Sequence, residues 1–178
     1  LPEHHEKERV ILEPEQILKV LEFTNRPEYY DYYLIHCAVL IAIGCTVRGG
    51  EIGGLQWDKI NFEKQIILFD RVSKKNMDMP KMNILFKFPN LYPGTKTMIV
   101  LKQPKSDDTI RNVDVPQSVL NALLVLKEMQ DKLKKELGPD GYMDYNLTIC
   151  QANGRPIMTE HLNKRFKEIL TEMNDPDM

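Results

Sequence analysis

Cysteine is scarce in this 178-residue chain: Cys37, Cys45 and Cys150 are an odd set without a Cys-x-x-Cys spacing. That excludes a disulfide framework, and no cluster of histidine and cysteine has the spacing of metal ligands. Long apolar runs are also missing. The longest, CAVLIAIGC from Cys37 to Cys45, falls far short of the roughly 18 residues that span a bilayer, and no leader pattern precedes it. The expected protein is cytoplasmic, in a reducing compartment, with no membrane partner, no metal and no cofactor. Neither charge sign is in large excess: 24 Lys and Arg against 26 Asp and Glu leave a net charge of −2, so overall charge carries no case for nucleic acid. Internal repeats and low-complexity tracts are absent.

What remains is the composition of one globular domain, 42% apolar and 28% charged, able to bury a core. Residues 1–12 are charged and aperiodic, which suits an interdomain linker, and residues 13–178 form the expected domain. His4-His5 has no third ligand nearby and reads as solvated linker. The Leu1-Pro2-Glu3 opening and the helix-breaking tail Asn174-Asp175-Pro176-Asp177-Met178 give the expectation of a piece excised from a longer chain.

A helix is expected from Glu13-Pro14-Glu15, with Ile17, Leu18 and Leu21 at three-to-four spacing. A second, apolar over most of its surface, runs from about Pro27 to Ile43 and reads as the buried central helix, its tyrosines packing against the core. Gly44 is expected to break it. Strand-like runs follow at Gln65–Arg71, Thr97–Gln103 and Ile110–Val115, with a further one at Ile84–Phe88 inside the long Val72–Lys96 stretch. From Pro116 an amphipathic helix carries Val119, Leu120, Leu123, Leu126 and Leu133 to a stop at Gly138-Pro139. A last helix is expected after Thr159 as N-cap, with Leu162, Phe166, Ile169 and Leu170 on its apolar face. The fold class is mixed α+β, mainly α, with one small three-stranded antiparallel sheet.

Charge is uneven along the chain. Between Arg71 and Arg111 stand nine basic residues and three acidic ones. This is a basic segment in an acidic chain, and Lys74, Lys75, Lys102 and Arg111 within it are candidate DNA contacts. A solvated hairpin that keeps its edges charged would show the same excess.

Two strings carry chemistry. The first is Gly44-Cys45-Thr46-Val47-Arg48-Gly49-Gly50-Glu51-Ile52-Gly53-Gly54-Leu55-Gln56-Trp57. An arginine and a glutamate three apart face one side of a helical turn, so Glu51 can hold the Arg48 guanidinium in one orientation. A planar fork held in this way suits the non-bridging oxygens of a phosphate better than a lysine does. The second is Lys102-Gln103-Pro104-Lys105-Ser106-Asp107-Asp108-Thr109-Ile110-Arg111-Asn112-Val113-Asp114-Val115-Pro116, a strand, a turn with Lys105, and a returning strand.

Together these strings resemble the first arginine box and the lysine hairpin of the tyrosine-recombinase (phage-type integrase) family, and helices, strands and helices follow in that family's order. The resemblance covers nearly the whole chain but only the first half to two thirds of the family's catalytic domain. It implies an integrase-type catalytic fold that acts on double-stranded DNA as a tetramer. It also implies strand cleavage by a tyrosine through a phosphotyrosyl link, with Arg48 on the phosphate, Glu51 in support and Lys105 as the acid that protonates the leaving 5′ oxygen. The family's histidine-x-leucine-arginine box and nucleophilic tyrosine have no match. His161-Leu162-Asn163-Lys164-Arg165 has a lysine where arginine should be, and reads as a helical face. The chain by itself is therefore expected to be inactive in cleavage. A type IB topoisomerase shares the chemistry. The rival from another class is a non-catalytic DNA-binding or protein-interaction domain in which Arg48–Glu51 is a structural ion pair.

Overall fold

The computed structural model describes residues 12–76, 83–90, 94, 98–104 and 109–175. Five helices and two three-stranded antiparallel sheets make up the described chain. Helix α1 (Pro14–Thr24) begins at a capping box in which the Glu13 amide donates to Gln16 Oε1 at 2.8 Å, satisfying a donor that the helix itself cannot. Its buried residues are Val20 and Thr24, while Leu18 is exposed.

Helix α2 (Tyr30–Cys45) is the central helix: Tyr33 to Ala38, Ile41 and Cys45 are all buried. It extends past Gly44, contrary to the expected break. A side chain on Gly44 would meet Val119 Cγ2 at 3.0 Å, so this glycine lets the helix that carries Val119 pack close rather than ending its own. The end comes at Thr46, in the left-handed conformation at φ 50, and the six-residue helix α3 (Gly49–Gly54) follows.

A single 3-10 turn, Trp57–Lys59, leads into the first sheet, ordered β1 (Ile60–Asn61), β2 (Ile66–Phe69), β6 (Arg111–Asp114). In β2 the side chains alternate, Ile67 and Phe69 facing the core, as a half-buried strand requires. The second sheet has the order β3 (Val72–Asn76), β5 (Met98–Lys102), β4 (Ile84–Lys87). The three strands expected from sequence thus fall into two sheets: 65–71 pairs with 110–115, and 97–103 pairs elsewhere. The central strand β5, with Val100, Leu101 and Lys102 buried, needs a hydrogen-bonding partner on each edge. The long 72–96 stretch supplies both, as β3 and β4.

Helix α4 (Gln117–Gly141) covers α2 with Val119, Leu120, Leu123 and Leu126, and its regular backbone breaks at Gly138, φ 68. Helix α5 (Thr159–Met173) closes the core with Leu162 and Ile169. Thr159 is its first residue; the N-cap is Met158, which makes no side-chain cap bond. Among the described residues no helix is long and apolar enough to cross a membrane.

Candidate phosphate-binding site around Arg48

Arg48 caps the N-terminus of α3 with an extended backbone, φ −84 and ψ 153. Its carbonyl accepts the amides of Glu51 and Ile52 at 2.9 and 3.1 Å. The Glu51 carboxylate is 7% exposed and uses both oxygens: Oε2 accepts the Arg48 backbone amide at 2.9 Å, and Oε1 accepts Arg111 Nη1 at 2.7 Å. Glu51 therefore orients the Arg48 backbone and pairs with Arg111, not with the Arg48 guanidinium. The expected Arg48–Glu51 ion pair is replaced by one that spans from α3 to β6, because a buried carboxylate gains most from the cation that can reach it without leaving its own strand.

The Arg48 side chain is exposed and forms no ion pair among the described residues. Its backbone is fixed while its guanidinium remains available. Arg111 is pinned further by the Thr109 carbonyl at 3.0 Å and lies 5.7 Å from the centre of the Phe69 ring. Cys45 is buried beside this arginine. Burial pushes its thiol up to about 11, against a smaller opposing pull from Arg111, so the sulfur stays protonated and is a poor nucleophile near neutral pH.

Glycines let α3 sit where it does. A Cβ on Gly54 would lie 2.9 Å from backbone atoms of Val72 and Ser73, and one on Gly49 would lie 2.5 Å from Thr159 Cγ2. The helix is thus wedged between β3 and the start of α5, with no room for a side chain at either place. Leu55 and Trp57 anchor the following turn. Trp57 Nε1 donates to Gln130 Oε1 at 2.9 Å, and Gln130, 1% exposed, donates to the Thr148 carbonyl. This buried amide is a polar core residue to which sequence gave no pointer, since one glutamine on a polar-looking helix turn carries no pattern.

The basic segment divides into paired and open cations. Arg71 bonds to Asp70 and Gln56, and Lys59 meets Asp70 at 3.0 Å. Burial pushes the Asp70 carboxyl up, but the hydrogen bonds from Arg71 and Lys59 outweigh it and hold the carboxyl below its usual range. Lys74, Lys75 and Lys87 are exposed on the second sheet, whereas Lys102 is buried on its central strand. Of the tyrosines, Tyr30 and Tyr142 are in or beside the core and burial raises both phenols; neither is poised as a nucleophile. Three histidine, cysteine or carboxylate side chains converge on no metal-sized site among the described residues.

No protein-family model matches the chain. A tyrosine recombinase XerC-like protein of Caldanaerobacter subterraneus subsp. tengcongensis is 28% identical over 142 residues, covering 77% of this chain and 33% of the relative. The Tn1549 transposon integrase in complex with a circular intermediate DNA superposes with a TM-score of 0.62 at 19% identity, over 98% of this chain and 48% of the integrase. The same integrase with transposon right end DNA gives the same TM-score, identity and coverage. This chain has a tyrosine-recombinase fold. It spans about a third of the curated recombinase and about half of the integrase chains.

Within that recombinase fold the structure brings Arg48, Glu51 and Arg111 into one cluster, places Lys74 and Lys75 on the strand that abuts α3, and sets Lys102 in the second sheet's interior. Lys105 lies outside the described residues, as does the 1–11 part of the expected linker. His161, Lys164 and Arg165 are on α5. There Arg165 pairs with Asp31 and Glu172, tying α5 to α2, and its surroundings are those of a helical face.

Proposed function

We propose that this chain supplies the phosphate-binding part of a site-specific DNA recombinase, one that cuts and rejoins strands through a phosphotyrosyl intermediate. The observation that carries this reading is the exposed Arg48 guanidinium, without an ion pair among the described residues, on a backbone held by buried Glu51. With its backbone held and its side chain open to solvent, this arginine can present parallel N–H donors to a phosphate without giving up an existing ion pair among the described residues. In the reaction, a tyrosine attacks the scissile phosphodiester and the 5′ oxygen leaves with a proton from Lys105. Arg48 neutralises the charge that builds on the non-bridging oxygens. The 5′ hydroxyl of a partner strand then attacks the phosphotyrosyl link, so the bond energy is conserved.

Double-stranded DNA is the proposed substrate, with Lys74 and Lys75 contacting its backbone, Lys102 and Arg111 supporting the hairpin that faces it, and a tetramer as the working assembly in the cytoplasm. The tyrosine recombinase relative and the DNA-bound integrases support this reading. The rival is a non-catalytic DNA-binding or protein-interaction domain; the Arg48–Glu51 ion pair it was built on is replaced by Glu51–Arg111, and in the recombinase reading Glu51 supports the Arg48 backbone rather than its guanidinium.

Duplex binding measured by fluorescence anisotropy across a salt series tests the reading. Arg48→Ala is expected to weaken binding and to reduce the salt slope by about 1, the signature of one lost phosphate contact. An unchanged slope would remove Arg48 from the site. The 178-residue chain is also expected to leave a nicked suicide substrate uncaptured, and a covalent adduct would overturn the assignment of the nucleophile to a residue outside it.

A further inference from the structure

A cleft of about 430 Å³ opens between the second sheet and the segment that leads into α5. We infer that this cleft binds a single nucleotide whose base has left the duplex stack, a binding site separate from Arg48 and resting on the DNA reading above. Its floor is apolar, with Phe88 and Tyr145 packed edge to face at 5.0 Å between ring centres. Cations stand at its rim: Lys75 from β3 and Arg155 from the turn before α5, with His161 from the first turn of α5 and Glu160 as the one carboxylate.

Arg155 is the most telling member. Its Nε is buried and has no hydrogen-bond partner, one of two such side-chain atoms among the described residues. An unsatisfied buried donor is costly to keep, and an anion in the cleft that drew the guanidinium toward it would relieve that cost. The turn that carries it is fixed by Gly154 at φ 80 and by the Gln151 amide bonded to the Arg155 carbonyl at 2.8 Å, so the guanidinium is presented by rigid backbone.

Volume and chemistry agree on the class of ligand. Small-molecule clefts run from about 300 to 1,000 Å³ with apolar walls and few polar groups, and a nucleotide offers a flat ring to Tyr145 and a phosphate to the rim. Every base has a face that can stack, so an aromatic floor accepts it whatever the sequence. Leaving the duplex costs least for a base that is already unpaired. The walls of the cleft are also the two elements that hold α3: Ser73 of β3 against Gly54, and Thr159 of α5 against Gly49. The cleft and Arg48 thus share a scaffold.

The test titrates the 178-residue chain with dAMP and with 2-deoxyribose 5-phosphate, followed by NMR shifts of the tyrosine and histidine rings. Saturable dAMP binding is expected, weaker by about 10-fold or more for the baseless sugar phosphate, the share of one stacked base. Arg155→Gln, with its fold checked by an unchanged urea midpoint, should abolish most of it; Tyr145→Leu, which keeps the apolar packing, should level dAMP with the sugar phosphate; Arg48→Ala should leave the difference between the two ligands intact. Equal affinity for both ligands in the unmodified chain, no saturation, or indifference to Arg155→Gln would each overturn the site. A duplex with one unpaired base should bind more tightly than its fully paired counterpart, and the difference should vanish in Arg155→Gln. Should Arg48→Ala fail to weaken paired duplex while dAMP still fills the cleft, the DNA reading falls and the nucleotide site stands. The reverse pattern overturns the site alone.

Discussion

The two sheets of this molecule have the same strand count and opposite surroundings. In the first, β2 lies against the helical core with Ile67 and Phe69 at 0% and 2% exposure, and β6 delivers Arg111 to Glu51. In the second the buried residues among those described are Val100, Leu101 and Lys102 of β5 and Ser73 of β3, and the outer strand β4 presents Leu85, Phe86 and Lys87 to solvent. One sheet is part of the core that fixes the arginine site. The other is an appended surface, basic and partly aromatic, held on by β3 where it meets the glycines of α3. Stability and function are therefore expected to divide along the same line.

Truncation in the first sheet should have the largest effect. Phe69→Ala is expected to cost about 3–5 kcal/mol, the usual cost of emptying a buried aromatic position, read as a lower urea midpoint at unchanged slope. The junction comes next. Gly54→Ala forces a methyl against the backbone of Val72 and Ser73 and should cost about 1–3 kcal/mol through strain. Hydrogen exchange should then rise in β3 before β2; equal loss in both sheets would show that they are one cooperative unit.

Glu51→Gln is expected to cost about 1–3 kcal/mol, because Arg111 loses its charged partner while the Arg48 amide keeps an acceptor. Arg48→Ala, which removes only an exposed group, should stay within about 0.5 kcal/mol. Were Arg48→Ala the more damaging of the two, the guanidinium would be structural and the phosphate reading would fail.

Acid should act on the first region. Burial lowers the pKa of His36, opposed in part by the Leu21 carbonyl at 3.0 Å. The neutral ring is the folded form, so its contribution is intact above the unfolded value of about 6.5 and is lost as pH falls through the lower folded one. Melting temperature should drop between pH 7 and 5, and His36→Gln should flatten that drop. In the second sheet the effect is expected to be small: Phe86→Ala should cost about 0.5–1 kcal/mol for its ring contacts with Phe88 and Tyr145, read as a slightly lower urea midpoint.

Much of the helical part was legible because hydrophobic period and length agree there: α1, α2, α4 and α5 lie near their expected positions, with ends shifted where Gly44 serves packing and Met158 replaces Thr159 as cap. The strands at 66–69, 84–87, 98–102 and 111–114 were also readable from β-branched and aromatic runs. Their partition was not, since pairing is chosen by which edges meet. The resemblance to tyrosine recombinases rested on local strings, and the recombinase fold agrees with it.

Local sequence by itself determined the elements, the glycine-flanked arginine and the basic stretch, all properties that neighbouring residues decide through period, backbone freedom and charge. Tertiary structure alone decided the partners. Glu51 met Arg111, sixty residues away, rather than the arginine three positions before it. Lys102 went into the interior while Lys74 and Lys75 stayed outside, and residues from β3, the 145–156 segment and α5 closed around one cleft. A carboxylate's partner is set by distance and burial in three dimensions, and spacing along a chain carries that information only within a helical turn.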